Sequence, residues 1–369
     1  MHVQELVHVH GGEPGLLRER RSGRLTYADA RGEPVTDPDT LARIGALTIP
    51  PAWTDVWIAA QPNAHLQASG LDAKGRRQYL YHPAWRARRD VEKFTDMLDF
   101  ANRLPAIRAT VQGWLGSGEV SRECVLALAI RLLDIGFFRV GWDRYARDNG
   151  HVGLTTLRRD QVRLLERAVQ FDYVGKAGKR RRMTVRDPES VGVLGHLERR
   201  RSGPPELLAY RAHGGWHRVH AADVNNGLRC WAEGPHSAKE FRTWAATVLA
   251  AVALAREHAD GRHGPRAVNR AVREVSTVLG NTPAVARASY IDPRVIRAFE
   301  EGTVIGLPDG LPPAVVPLRI EAGDDGIVIE LPTDVDGDAL RADVEWRVIA
   351  LISGVAVPFA AGRARSSAS

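Results

Sequence analysis

"VRLLERAVQFDYVGKAGKRRRMTV", residues 162–185, interrupts a long helical stretch of the chain, and its reading decides the fold. Apolar residues alternate on both sides of a turn at Gly175 to Gly178, so the segment reads as strands folded back on one another. Around it the period is helical, beginning near "VEKFTDMLDFANRL" and persisting to about Gly302. Ahead of it, from about Gly15 to Trp85, bulky residues alternate between Gly turns in "RLTYADARGEPV", "WTDVWIAA" and "HLQASGLDAKGRRQYLYH", the last bending at Ala73-Lys74-Gly75. After Gly302 come a Pro-rich linker, two strand-like runs, a helix-like run and a small polar tail expected to be disordered. The expectation is an α+β protein in three parts. Residues 1–90 form a small β-rich domain, 91–305 a mainly helical domain containing a small antiparallel sheet, and 306–369 a C-terminal appendage.

A chain of 369 residues is long enough for two cores. Its 51 Lys and Arg exceed its 44 Asp and Glu, for a formal charge of +7 and a pI near 9.7. The cations cluster at Arg18, Arg20, Arg21 and Arg24, at Arg86, Arg88 and Arg89, at Lys179 to Arg182, and at Arg199 to Arg201. Clusters spread over several segments suit a surface that tracks phosphates, and equally suit solvated faces. The two cysteines, Cys124 and Cys230, lie in helix-like patterns, which leaves no disulfide framework and no cysteine-based zinc site, and fits a reducing compartment. The opening residues lack a signal-peptide core and no run is long enough to span a bilayer, so a soluble cytoplasmic protein with no membrane partner is expected.

Several chemistries can be set aside. "GLDAKGRR" and "VGKAGKR" lack the GxxxxGK[ST] spacing with which a P-loop cradles a triphosphate, so no nucleotide cofactor is expected. His213, His217 and His220 have metal-like spacing, but Gly214-Gly215 breaks the helix that would converge their rings. Asp324-Asp325 lies in a Gly-flanked turn without partners for acid-base or metal work, and no metal or other cofactor is expected.

What remains is three cations and a phenol in separate segments. Arg139 stands two residues before a glycine in "FFRVGWDRYARDNG". Lys176 occupies the hairpin bend, where an amine reaches outward. Arg242 follows "SAKE", a capping box of Ser237 and Glu240, and lies off the apolar stripe Phe241, Ala245, Val248, Leu249 and Val252. With Lys239 it makes a cationic helix start, suited to a phosphate. In "GNTPAVARASYIDP", residues 280–293, Asn281 or Thr282 caps a short helix begun by Pro283, and Tyr290 falls at its close, before Asp292-Pro293 begins another. Taken singly, each reads first as an ordinary surface or packing residue.

In order along the chain, "FRVG", "FDYVGKAGK", "KEFRTW" and "NTPAVARASY" resemble the catalytic segments of type IB DNA topoisomerases in the compact bacterial and poxvirus form. "RRSGRLTYADARGEPV", "IPPAWTDVWI", "DAKGRRQYLYHPAW" and "GLTTL" at 153–157 are similar to that family too, so the resemblance runs from about Gly15 to Gly302. It implies an N-terminal clamp and a helical catalytic domain around double-stranded DNA, working as a monomer without ATP or metal in the nucleoid. It implies that Tyr290 is the nucleophile, joined transiently to a 3′ phosphate, with Arg139, Lys176 and Arg242 as the catalytic cations. Asn281 stands where many members have histidine; it can donate to a phosphate oxygen but carries no charge. Gln78, Tyr79, Tyr81, Tyr145 and Lys239 match DNA-contacting positions. Trp142, His151 and Ala177 depart from the family pattern.

These residue types suit the implied chemistry. Ionising a tyrosine of pKa near 10 at neutral pH costs roughly 4 kcal/mol, which neighbouring guanidinium groups reduce. Arginine forks hold the non-bridging oxygens and the charge that builds in the transition state. Lys176 is then the general acid for the departing 5′ oxygen. A tyrosine recombinase shares this chemistry but typically carries His-x-x-Arg where this chain has Lys239-x-x-Arg242. A non-catalytic basic DNA-binding protein is the third reading, against which all four positions are present.

Overall fold

The computed structural model describes residues 5–21, 24–307, 315–316, 318–323, 326–330 and 337–355. The contacts divide the chain into two units, Met1–Thr95 and Asp96–Ser369.

The first unit is built on an antiparallel sheet of β1 (Leu16–Arg21), β2 (Arg24–Ala28), β3 (Thr54–Ile58), β4 (Leu66–Leu71) and β5 (Arg77–Tyr81), in the order β2-β1-β3-β4-β5. Helix α1 (Pro38–Ala46) starts at Asp37, whose side chain accepts from the Thr40 amide, with Pro38 at the first position. It packs Ile44 onto Leu16, Val56, Ile58 and Ala68. Alternation along β5 sends Leu80 to this core and leaves Tyr79 and Tyr81 exposed, their rings stacked 6.2 Å apart. Helix α2 (Pro83–Leu115) begins in this unit and continues into the second.

The second unit is mainly helical. Its helices are α3 (Arg122–Gly136), α4 (Asp143–Asn149), α5 (Pro188–Arg199), α6 (Ala221–Ala232), α7 (Ala238–Ala259), α8 (Gly264–Leu279), α9 (Pro283–Ser289), α10 (Pro293–Glu300) and α11 (Gly337–Ser353). Strands β6 (Val162–Leu164), β7 (Val169–Val174) and β8 (Arg180–Arg186) are the expected antiparallel interlude, and β9 (Ala209–Ala212) pairs with β10 (Gly215–Arg218) as a separate hairpin. His213 turns that hairpin, His217 lies on β10 and His220 precedes α6, so the three rings do not converge. Among the described residues no group of His, Cys, Asp and Glu could hold a metal ion, and no helix is long and apolar enough to cross a membrane.

Two expectations needed correction. Helix α7 does not carry a single apolar stripe: it is buried on nearly every side from Phe241 to Ala255, with Ala245 only half-buried. Its many alanines let α3, α6, α8, α10 and α11 approach closely, which makes it the centre of the unit. The antiparallel sheet is also larger than its sequence suggests. Strands β11 (Val315–Val316), β12 (Leu318–Gly323) and β13 (Gly326–Glu330) extend it, β13 running parallel to β8 with Ile327 opposite Met183, in the order β11-β12-β13-β8-β7-β6. Helix α11 packs on α7 and α10. Its Arg341 and Glu345 close a buried ion network with Arg108 of α2 and Asp134 of α3: Arg341 Nη1 lies 2.9 Å from Asp134 Oδ2, and Arg108 Nη1 lies 2.7 Å from Glu345 Oε2. Asp324-Asp325, the Pro-rich linker over 308–314 and the polar tail from residue 356 lie outside the described residues.

Candidate active site

Helix α3 ends at Phe137, whose left-handed backbone turns the chain out of the core and into the Arg139 loop. That loop is fastened to the 153–157 segment. The Leu154 amide donates to Arg139 O at 2.8 Å and the Thr155 amide to Val140 O at 2.8 Å. Gly141, at φ +86, and Gly153 touch backbone to backbone: a Cβ on Gly153 would lie 2.5 Å from Gly141 Cα. Both glycines are therefore needed where the sequence suggested one close approach.

Arg242 lies just past the first turn of α7, in which the Glu240 carboxylate accepts from the Ser237 amide at 2.9 Å and from its hydroxyl at 2.6 Å. Arg242 is buried, with 4% of its surface exposed. It donates to Phe137 O, and through Nη2 to Leu279 O at 2.8 Å, while its Nε has no partner among the described residues. It thereby ties the end of α3 and the end of α8 to α7.

Gly280 ends α8 in the left-handed conformation, Thr282 caps α9 by accepting from the Val285 amide, and Tyr290 closes α9. Thr247 of α7 fixes the tyrosine's backbone: its hydroxyl lies 3.3 Å from Tyr290 O and accepts from the Asp292 amide at 3.1 Å. The helix that carries Arg242 thus also anchors Tyr290, and Arg242 Cζ lies 5.4 Å from the centre of the phenol ring. Asn281 Oδ1 accepts from Arg139 Nη2 at 2.5 Å, and Nδ2 has no partner among the described residues.

Arg139, Lys176, Lys239, Arg242 and Tyr290 line one pocket of about 290 Å³, with Trp142 and His151 at its wall. Asn281 is bonded to Arg139 but is not among the lining residues. Trp142, 59% exposed, presents an indole there. Lys176 is exposed in the single turn Lys176–Gly178 that joins β7 to β8. Burial raises the Tyr290 pKa, but the charges of Arg242 and Arg139, a hydrogen bond with Arg242 and the Lys176 charge outweigh it, leaving the phenol below its ordinary value. Burial, then the charge of Arg139, lowers Arg242 to about 10, against which Tyr290 acts to raise it. Four cations around one phenol make a pocket whose charge suits an anion with oxygens on several sides.

The remaining expected contacts are not among the residues that line this pocket. Gln78 donates to Asp72 Oδ2 at 2.9 Å, while Tyr79 and Tyr81 of β5 are exposed on the first unit. Tyr145 lies on α4, but its side chain is outside the described residues, as is that of Ala177. By local pattern Arg181 is one member of a basic run. Strand parity could have found it, because Arg181 shares a face of β8 with buried Met183 and Val185.

Residues 82–301 match the family model described as eukaryotic DNA topoisomerase I, catalytic core, and residues 24–72 match that for bacterial DNA topoisomerase IB, N-terminal domain. The chain is 28% identical over 295 residues to DNA topoisomerase 1B of Acanthamoeba polyphaga mimivirus, covering 75% of this chain and 85% of the relative. It is 23% identical over 257 residues to DNA topoisomerase 1 of rabbit fibroma virus, covering 66% of this chain and 76% of that protein.

Proposed function

Because the chain belongs to the type IB DNA topoisomerase family and is an isomerase acting on DNA, we propose that Tyr290 is its nucleophile and that Arg139, Lys176, Arg242 and Asn281 are its catalytic partners. The observation that carries this reading is the meeting of Arg139, Lys176 and Arg242 with the Tyr290 phenol in one pocket, from four segments far apart in the chain.

In this mechanism the scissile phosphate of double-stranded DNA enters the pocket, and Arg139 and Arg242 donate to its non-bridging oxygens. Arg242 Nε and Asn281 Nδ2, buried donors without a partner among the described residues, are available to add to these bonds. Tyr290, having lost its proton to solvent, forms a bond from the phenolate Oη to phosphorus as the bond from phosphorus to the 5′ oxygen breaks. Lys176 gives that oxygen its proton, so the 5′ end departs as a hydroxyl. The broken strand swivels about its intact partner and relieves supercoiling. In the reverse step Lys176 takes the proton back, the 5′ oxygen attacks phosphorus and the tyrosine leaves. The phosphotyrosyl bond conserves the bond energy throughout, so neither ATP nor a metal enters the balance.

We assign residues 1–90 as a DNA clamp contacting the duplex through Gln78, Tyr79 and Tyr81. Lys239 and Tyr145 serve as further contacts, and the enzyme acts as a monomer at the nucleoid. The comparisons favour this reading over a recombinase, as does Lys239 in place of histidine.

The test is relaxation of supercoiled plasmid in EDTA without ATP, with part of each reaction quenched in detergent. Wild type should relax the plasmid and be trapped on a 3′ end; Tyr290→Phe should bind DNA and do neither. Trapping by Tyr290→Phe would overturn the assignment.

A further inference from the structure

Arg181 crosses from one catalytic segment to another. It lies on β8 opposite Tyr173, and its side chain passes over Gly175, the residue before Lys176: a Cβ on Gly175 would sit 3.6 Å from Arg181 Cγ. Its guanidinium ends against Gly280, the residue before Asn281, where a Cβ would lie 2.5 Å from Nη1 and 3.0 Å from Cζ. Nη2 donates to Val278 O at 2.9 Å, next to the Leu279 carbonyl held by Arg242 at 2.8 Å. Two of the carbonyls that a helix leaves unpaired at its C-terminus are thus held by arginines, where the helix dipole favours positive charge.

We propose that Arg181 is a positioning residue, tying the hairpin that carries Lys176 to the turn from which Asn281 and the Tyr290 helix depart. The hairpin's own turn is closed by Gly175 N to Lys179 O at 2.8 Å, and Val152 N to Val174 O at 2.9 Å fastens its other side to the 151–153 segment. Among the side-chain contacts described, Arg181 supplies the link between the hairpin and the end of α8. Its role is to hold the lysine at the spacing from the nucleophile that protonation of the leaving oxygen requires. Glycine at 280 serves this contact as well as the backbone, since its missing side chain is the space the guanidinium fills. This inference rests on Lys176 acting as general acid.

The experiment compares single-turnover cleavage of an ordinary duplex with that of one whose scissile 5′ oxygen is replaced by sulfur, which departs without being protonated. Arg181→Met should cleave the oxygen substrate about 10- to 100-fold more slowly, below the full effect of a general acid, and the sulfur substrate within about threefold of wild type. Equal slowing on both substrates, or slowing on neither, overturns the inference. Lys176→Met separates the two readings. If sulfur rescues Lys176→Met but not Arg181→Met, the inference alone fails. If sulfur does not rescue Lys176→Met, the general-acid reading fails and the route through the lysine fails with it.

Discussion

Asn281 accepts a hydrogen bond from Arg139 through Oδ1 while its Nδ2 is left without a partner, so one amide links a guanidinium to an open donor position. This arrangement uses both ends of the amide and no charge. Asn281→Ala should slow cleavage by about 10- to 100-fold, near the lower range for losing one oxyanion donor. Asn281→Asp keeps the acceptor, loses the donor and adds repulsion toward phosphate, so it should be slower still. Equal rates for Asn281→Asp and wild type in single-turnover cleavage would remove Asn281 from the mechanism.

The Tyr290 phenol is held below its ordinary value by Arg242, Arg139 and Lys176 against the opposing effect of burial. The attacking form is the phenolate, so cleavage should rise with pH through the lowered pKa and then level off. The 5′-sulfur substrate isolates this step from leaving-group protonation. Arg139→Gln removes one stabilising charge, and its midpoint should move upward toward the free value of about 10. A midpoint unchanged by that substitution would mean that Arg139 does not act on the phenol.

Gly153 and Gly141 meet where any Cβ would strike backbone. Gly153→Ala cannot be relieved by turning a side chain; the Arg139 loop itself must shift. We expect a loss of about 1–3 kcal/mol in stability from overpacking and at least a tenfold fall in cleavage rate, seen by urea denaturation and single-turnover assay. A fall in stability with an unchanged rate would show that Arg139 tolerates the displacement.

In the network of Arg108, Asp134, Arg341 and Glu345, burial raises the Asp134 pKa, but the charges of Arg108 and Arg341 hold it well below the usual carboxylate range. A depressed carboxylate contributes stability that is present above its unfolded pKa of about 4 and lost as pH falls through the folded value. Arg341→Met leaves two buried acids with one guanidinium, which should cost about 3–5 kcal/mol and move acid unfolding to higher pH. A cost under about 0.5 kcal/mol would mean that α11 is only loosely attached.

Much of the molecule is legible from local pattern. Ser237, Thr282, Gly280 and the Gly175 turn announce the ends of their elements, because capping and left-handed turns depend on residues a few positions apart. Helix α7 was misread as one-sided because its alanines are neutral in a pattern: they show a helix but not how many neighbours will close on it. The pairing of β13 with β8 was invisible, since nothing local in either strand names a partner more than a hundred residues away. Arg181 was hidden in a run of arginines whose members differ only in which face of the strand they occupy.

From its sequence alone the chain was determined to have a β-rich start, a helical body with a strand interlude, and a phenol and three cations in separate segments, because propensity, capping and turn chemistry act within a few residues. Only the tertiary structure decided that Arg242 is buried between Phe137 and Leu279, that Thr247 fixes Tyr290 to the same helix, and that Asn281 faces Arg139. Those contacts join residues up to 142 positions apart. They exist because the packing of α3 and α8 around α7 brings the ends of three helices to one place.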